Sequence, residues 1–307
     1  MVARFRNAFN RVAPGDGGIG LAVSGGPDSL ALLLLAQAAF PGRIAVATVD
    51  HGLRAESAAE AAFVADLCGQ LGTTCAILKP ATPITGNIQS SARNARYALL
   101  SDWADAQDLR WVATAHHADD QLETVLMRLA RGSGIDGLGA IRGLNGRIVR
   151  PLLEFTKAEL EAICASAGVA PQRDPSNENS AYDRVAMRQW LASAPHPFDP
   201  LRVARTAAAL AESAEALAMI AEDLADKRLH EEDGTLVLDV SGLPRELQRR
   251  LLLIALRKLD PDAAPRGESI DAALDRLPEA KSLTLGNILV TGGTRWRFTQ
   301  APSRRTG

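Results

Sequence analysis

Short apolar runs that end in polar turn residues recur through the first half of the chain, at 19–23, Ile44–Val49, Cys75–Leu78, 111–115 and 148–153. Between the first four lie stretches with helical spacing, at 28–39, 55–71 and 87–103. Continuous apolar strands alternating with helices predict βαβ units and a parallel sheet covered on both faces. In 87–103 the stripe Ile88, Ala92, Ala95, Leu99 is predicted to face the sheet, with Gln89, Arg93 and Arg96 on another face. Beyond 115, Leu122, Val125, Leu126 and Leu129 recur at i, i+3, i+4 and i+7 and predict one more amphipathic helix. At the start, Arg4, Arg6 and Arg11 interrupt an apolar stretch, which predicts a short amphipathic helix packed on this domain rather than a secretory signal.

After Ile163 the pattern changes. Residues 171–180 are polar and turn-rich, and Ala194-Pro195-His196-Pro197 followed by Asp199-Pro200 reads as a boundary. The expected domains are therefore 1–196 and 197–307. The second holds an alanine-rich helix at 201–229, a strand at 235–240, helices at 243–259 and 268–277, and strands at 282–290 and 295–299 joined through Gly292-Gly293. The fold class is α/β, a parallel-sheet domain followed by a smaller α+β C-terminal domain.

Composition narrows the function. The 307 residues carry a formal net charge of −2, so a nucleic-acid partner needs a local basic face rather than bulk charge. Cys68, Cys75 and Cys164 form no Cys-x-x-Cys, which argues against a zinc knuckle, a disulfide scaffold or a thioredoxin-like motif. Low cysteine usage and the lack of any apolar run long enough for a membrane span predict a cytoplasmic protein.

In a parallel sheet, ligands bind beyond the carboxyl ends of the strands, and polar clusters stand there. Ser24-Gly25-Gly26-Pro27-Asp28-Ser29 joins the first strand to a helix N-terminus. Such a junction presents backbone N–H groups and a positive dipole end to a phosphate, and the glycines let the backbone approach closely. No lysine follows, so it is not the Gly-x-x-x-x-Gly-Lys-Ser/Thr loop. Asp50-His51-Gly52 follows the second strand, and His116-His117-Ala118-Asp119-Asp120-Gln121 the fourth. The latter suggests oxygen ligands for Mg2+ better than a zinc site, with Asp119 and Asp120 as the metal candidates. Arg131-Gly132-Ser133-Gly134 is a small-residue loop that would let backbone near a ligand. Taken singly, each cluster could equally be a hydrogen-bonded turn or a solvated face.

Taken jointly and in this order, these segments are distinctive. With Ala92-Arg93-Asn94-Ala95-Arg96-Tyr97, Asp174-Pro175-Ser176-Asn177 and Tyr182-Asp183-Arg184, they resemble the bacterial tRNA(Ile)-lysidine synthases, a branch of the PP-loop ATP pyrophosphatases. The likeness spans about the first two thirds of the chain and matches the short, two-domain form of the family. Val185 stands where the family usually has Asn. The resemblance implies a Rossmann-like, adenine-nucleotide α-hydrolase-like domain. It implies adenylation of the wobble cytidine in the CAU anticodon of tRNA(Ile) by ATP, followed by displacement of AMP by L-lysine. Ser24, Gly25, Gly26, Pro27, Asp28, Ser29 and Gly132 would then bind ATP, with Mg2+ at Asp119 or Asp120. Asp28, Asp50, His117, Asp119, Asp120, Arg93, Arg96 and Arg184 would carry the chemistry, with Asp28, Asp50, Glu123 and Asp136 as candidates for the lysine ammonium groups and Arg93, Arg96 or Arg184 for a carboxylate or the phosphates. The C-terminal domain would hold the tRNA. Arg295 and Arg297 interleave there with Trp296 and Phe298, Lys281, Arg304 and Arg305 lie nearby, and Arg245, Arg249 and Arg250 form a second basic patch. A homodimer stays open. The rivals are another PP-loop tRNA-modifying enzyme, such as a thiolase, and a nucleotide-binding protein without turnover.

Overall fold

The structure, a computed structural model, describes residues 1–52, 57–81, 88–172 and 183–301, with backbone only at 88–90, 92 and 183. Asp174-Pro175-Ser176-Asn177, Tyr182, Arg304 and Arg305 lie outside the described residues. The chain divides into two compact units, Met1–Ala211 and Glu212–Gly307. The division falls inside one 29-residue helix, Pro200–Arg228, which runs on past the proline-rich stretch where composition places a boundary at 196.

The first unit contains, in order, α1 (Val2–Val12), β1 (Gly18–Ala22), α2 (Pro27–Ala39), β2 (Ile44–Val49), α3 (Ser57–Gln70), β3 (Cys75–Leu78), α4 (Ile88–Ala106), β4 (Leu109–Ala113), α5 (Ala118–Ala130) and α6 (Ile135–Leu138). Then come β5 (Leu144–Asn145), β6 (Ile148–Val149), α7 (Lys157–Ser166), α8 (Asp183–Ser193) and the start of α9 (Pro200–Arg228). The sheet order is β3-β2-β1-β4-β6-β5, parallel except for β5, which runs antiparallel to β6. The strand order reverses at β1, between β2 and β4. This switch point is where a crevice opens at the carboxyl ends of the strands.

Helices cover both faces as the apolar runs predict. α2 buries Leu30, Ala31, Leu32, Leu33, Leu35 and Ala36 against Ile19 and Leu21. Phe5 and Phe9 of α1 close that core on Phe40, with the Phe9 and Phe40 ring centroids 4.9 Å apart. On the other face Leu100, Trp103 and Ala104 of α4 pack on Ala47 and Val112. Gly20 makes this possible: a Cβ there would sit 2.7 Å from Trp103 Cζ3, so only glycine lets the indole lie on the sheet.

Three expectations change. The buried stripe of α4 runs through Leu100, Trp103 and Ala104, one position round from the predicted Ala95–Leu99 line, and carries Arg96 toward the protein. The last apolar run is a strand only at Ile148–Val149, because Pro151 has no N–H for a ladder and the chain turns there. In α5, Leu122 is buried but Leu129 is 58% exposed, whereas Asp120, Gln121 and Glu123 are buried. Gln121 holds its place by bonding both ways with the Ile141 backbone, Nε2 to the carbonyl and Oε1 to the N–H, each at 2.8 Å.

The second unit carries β7 (Leu229–Glu232), β8 (Thr235–Asp239), α10 (Arg245–Leu259), α11 (Gly267–Arg276), β9 (Ser282–Leu285), β10 (Ile288–Thr291) and β11 (Arg295–Gln300). They form an antiparallel sheet, β7-β8-β11-β10-β9. The expected strand at 282–290 is two strands, turned at Gly286, whose φ is +61°. The unforeseen β7 pairs with β8 through Asp233-Gly234, both at positive φ, the Asp-Gly signature of a two-residue hairpin. Trp296 and Phe298 are wholly buried on the α10 and α11 side. They are core residues, so their expected part in base stacking is withdrawn. The strand's alternation turns Arg295 and Arg297 to the opposite face, where Glu232 meets both. The second basic patch is similarly matched by acids: Arg245 meets Asp275, Arg249 meets Asp271, and Arg250 meets Glu246.

Gly292 supplies a test of this unit. A Cβ there would fall on the Leu277 carbonyl, and backbone cannot yield as a side-chain tip can. Gly292→Ala is expected to cost about 3 kcal/mol, at the upper end of single-site effects. Urea unfolding of a variant that keeps Trp296 as its single tryptophan, followed by fluorescence, checks it, and a midpoint equal to that of the same protein with Gly292 would contradict the packing.

Candidate active site

Two strand ends converge at the switch point. Past β1, Gly25 adopts φ +86°, which an L side chain rarely takes, and Gly26 caps α2 with Pro27 at its first turn. The loop is braced from within. The Ser24 N–H donates to Ser29 Oγ at 3.1 Å, and the Ser29 hydroxyl donates to the Gly26 carbonyl at 2.9 Å. Ser29 is therefore a buried brace of the turn, while Ser24 and Gly26 line the open helix end. Asp28, in the first turn of α2, has Oδ1 buried with no hydrogen-bond partner. A carboxylate oxygen left so costs free energy unless something else occupies it.

Past β4, His117 caps α5. Its Nε2 lies 3.5 Å from Asp28 Oδ2 and 3.6 Å from Asp120 Oδ2, and its Nδ1 lies 3.5 Å from Asp119 Oδ2. Burial works against a charged imidazole, yet these carboxylates outweigh it and hold the His117 pKa up at about 10. Asp119 and Asp120 lie below the usual carboxylate range for the complementary reason: burial opposes ionisation, but His117, with Arg184 at Asp120, favours it. Asp119 also accepts the Lys157 N–H at 2.8 Å, and Asp120 Oδ2 accepts the His117 N–H at 3.0 Å. The adjacent His116 is kept neutral, chiefly by burial and further by the cations Arg150, Arg184 and Arg93.

A second layer stands behind this pair of loops. Glu123, one turn beyond Asp120, is buried and meets two arginines of α8. Arg184 Nε reaches it at 2.8 Å and Arg188 Nε at 2.5 Å, while Arg184 Nη2 bonds Asp120 Oδ1 at 2.7 Å. The i, i+4 spacing of the arginines matches the i, i+3 spacing of the acids across the helix pair. Glu123 is thus a clamped structural carboxylate rather than an open acceptor for an ammonium group. Arg188 was not foreseen; its signal was its place one turn after Arg184. Arg150, 6% exposed just past β6, was likewise missed, and it donates to the Arg142 carbonyl at 2.7 Å.

The remaining expectations fall in two places. Asp50 sits past β2, where it accepts the Gly52 N–H at 3.0 Å and pairs with Lys79 at 3.1 Å. Lys79 and that turn hold its pKa below the ordinary value. Arg93 and Arg96 lie on α4 and flank the Tyr97 ring at 5.1 and 5.5 Å. Gly132 is not gathered in. It stops α5, its N–H on the Leu129 carbonyl and the next N–H on the Arg128 carbonyl, the double bond that ends a helix at a left-handed glycine. It stands about 20 Å along the helix axis from Asp119, at about 1.5 Å per residue. Among the described residues, no three His, Cys, Asp or Glu side chains form a metal cage.

Comparison with known proteins agrees with this geometry. A family model described as the PP-loop domain matches residues 1–194. A tRNA(Ile)-lysidine synthase of Zymomonas mobilis is 42% identical, over 95% of this chain and 91% of its own length. One from Novosphingobium aromaticivorans is 42% identical over 99% of this chain and 95% of its own. Among solved structures, the U34-tRNA thiolase NcsA of Methanococcus maripaludis superposes with a TM-score of 0.56 at 16% identity, over 69% of this chain and 78% of that one. That identity supports a shared fold alone. No helix among the described residues is long and apolar enough to cross a membrane.

Proposed function

The chain belongs to the tRNA(Ile)-lysidine synthases of the PP-loop family, and we propose from its geometry how its residues make lysidine. The reaction is ATP-dependent. The wobble cytidine of the CAU anticodon is adenylated with release of pyrophosphate, and the lysine amine then displaces AMP. The observation that carries the assignment of chemistry to residues is the buried, unpartnered Oδ1 of Asp28 beside the open N-terminus of α2.

ATP is placed with its phosphates on the Ser24–Gly26 turn, where N–H groups and the helix dipole favour negative charge. Mg2+ bound with ATP would neutralise phosphate charge and assist the leaving pyrophosphate. Asp28 Oδ1 fits it, because it is a hard oxygen with no competing donor. Asp120 does not, because Arg184 and the His117 N–H occupy its two oxygens. Phosphates and water would complete the coordination. His117, held as a cation among three carboxylates, fixes the mutual position of the two loops. Asp119, beside His117 at the start of α5, is assigned the contact with an ammonium group of lysine. Arg184 acts through Asp120 and Glu123, positioning α5. Segment 197–307 is assigned to gripping the tRNA, supported by the exposed arginine row of β11.

The test is transfer of radiolabelled lysine to an unmodified tRNA(Ile) bearing CAU, with a methionine tRNA of the same anticodon as control. Label on the isoleucine tRNA alone, with AMP released, is expected. AMP formation that needs a sulfur donor instead of lysine would move the chain to the thiolases.

A further inference from the structure

We propose that His51, Arg96 and Tyr97 form a phosphate subsite that takes a backbone phosphate of the tRNA strand, separate from the ATP loop. The inference rests on the lysidine synthase reading and adds where the RNA is pinned. His51 lies two residues past the end of β2, and Arg96 and Tyr97 lie on α4.

Three observations converge on this corner. His51 Nδ1 is buried and has no hydrogen-bond partner, and the Tyr97 hydroxyl is buried without a bond of ordinary geometry. Arg96 is half-buried and acts on the His51 ring as a neighbouring charge. No carboxylate among the described residues pairs with Arg96 or with Arg93, and these two cations instead repel one another across Tyr97. Asp50, the acid of this corner, is already committed to Lys79 and to the Gly52 N–H. The contrast with the other half of the crevice is sharp, since Asp120 and Glu123 of α5 are matched by Arg184 and Arg188 of α8.

A desolvated guanidinium without a counter-ion is costly, and an anion from outside supplies what the described residues do not. A guanidinium fork, an imidazole nitrogen and a phenol suit the oxygens of a phosphate. β2 lies about 4.8 Å from β1 in the sheet, so the corner is within one nucleotide of a cytosine presented to the Ser24–Gly26 turn. ATP already has a helix end and glycine amides for its own phosphates. A single-stranded anticodon base that is splayed out brings its flanking phosphate with it, and phosphate contacts set register.

The experiment measures binding of a CAU tRNA(Ile) transcript by filter retention across salt, and ATP binding separately, for Arg96→Gln, Arg96→Lys and His51→Ala. Arg96→Gln is expected to weaken tRNA binding by about tenfold or more and to lower the salt slope by about 1, with ATP affinity within about twofold of wild type. Arg96→Lys restores the slope but only part of the affinity. His51→Ala weakens tRNA binding in the same direction, which keeps the test alive if Arg96→Gln fails to fold. Unchanged tRNA affinity and slope in both variants would overturn the subsite. A loss confined to ATP would also overturn it and give the phosphate to the nucleotide. Wild-type protein that neither binds nor modifies this tRNA would overturn the lysidine synthase reading itself, a distinct result.

Discussion

Asp28→Asn should abolish lysine transfer while leaving the protein as stable as before or more so. The two halves of this expectation have one cause. Asp28 Oδ1 is buried with no hydrogen-bond partner, and Oδ2 stands 3.5 Å from His117. A charge kept in that state contributes little net to folding, because His117 at Oδ2 repays its desolvation only in part and Oδ1 has no donor. On the proposed reading, negative charge beside the Ser24–Gly26 turn would assist catalysis by holding the cation that the phosphates require. Asparagine keeps the shape and removes the charge. A fall in single-turnover rate on the order of 10²–10³-fold is expected, the usual scale for losing one preorganised electrostatic group. The melting temperature should stay level or rise, as at sites where stability is traded for activity. A variant that still transfers lysine within threefold of wild type would remove Asp28 from the mechanism.

The opposite result is expected at Glu123, only a short distance along the crevice. Glu123→Ala deletes a buried carboxylate and leaves Arg184 and Arg188 without the acid they share. Breaking one partner out of a buried ionic network costs about 3–5 kcal/mol. Both arginines are over a third exposed, so water recovers part of this, and about 3 kcal/mol is the better figure. For a unit of this size that is a fall of roughly 6–12 °C in melting temperature. Activity should fall too, because Arg184 also orders Asp120. The double variant Glu123→Met, Arg188→Met should regain part of the stability but none of the activity, since an apolar pair replaces the charges while Arg184 keeps Asp120 alone of its two acids. A single-variant shift under 2 °C would mean that the α5–α8 contact is not what holds this wall. Together the two substitutions separate a carboxylate kept for chemistry from one kept for architecture.

Residue pattern alone determined the parts of this protein that depend on neighbours in the chain. Strand and helix order in the first unit, the turn at Gly25 and Gly26, and polar clusters at the ends of β1, β2 and β4 are written within windows of a few residues. Periods of two and 3.6, and the conformational freedom of glycine, operate at that range. The Asp-Gly hairpin of β7 and β8 and the Thr156–Glu159 capping box of α7 are equally local, since turn and cap chemistry is set by residues within four positions of each other.

Tertiary structure decided the rest, and in each case through a partner far off in the chain. Leucine spacing in α5 pointed to Leu129 as core, but α8, some sixty residues on, brings two arginines that make Glu123 the buried residue instead. Arg96 lies toward the protein because Trp103, seven residues on, found room over Gly20. Trp296 and Phe298 read as an aromatic-basic stripe in sequence, and α10 and α11 cover them as core. Asp28 and Asp120 have the same side chain and occupy neighbouring loops, yet one keeps an open oxygen while the other is fully bound. Periodicity counts which positions are apolar. It does not count which distant charge arrives to neutralise a polar one, and in this crevice that arrival separates the groups that brace the fold from those left open to substrate.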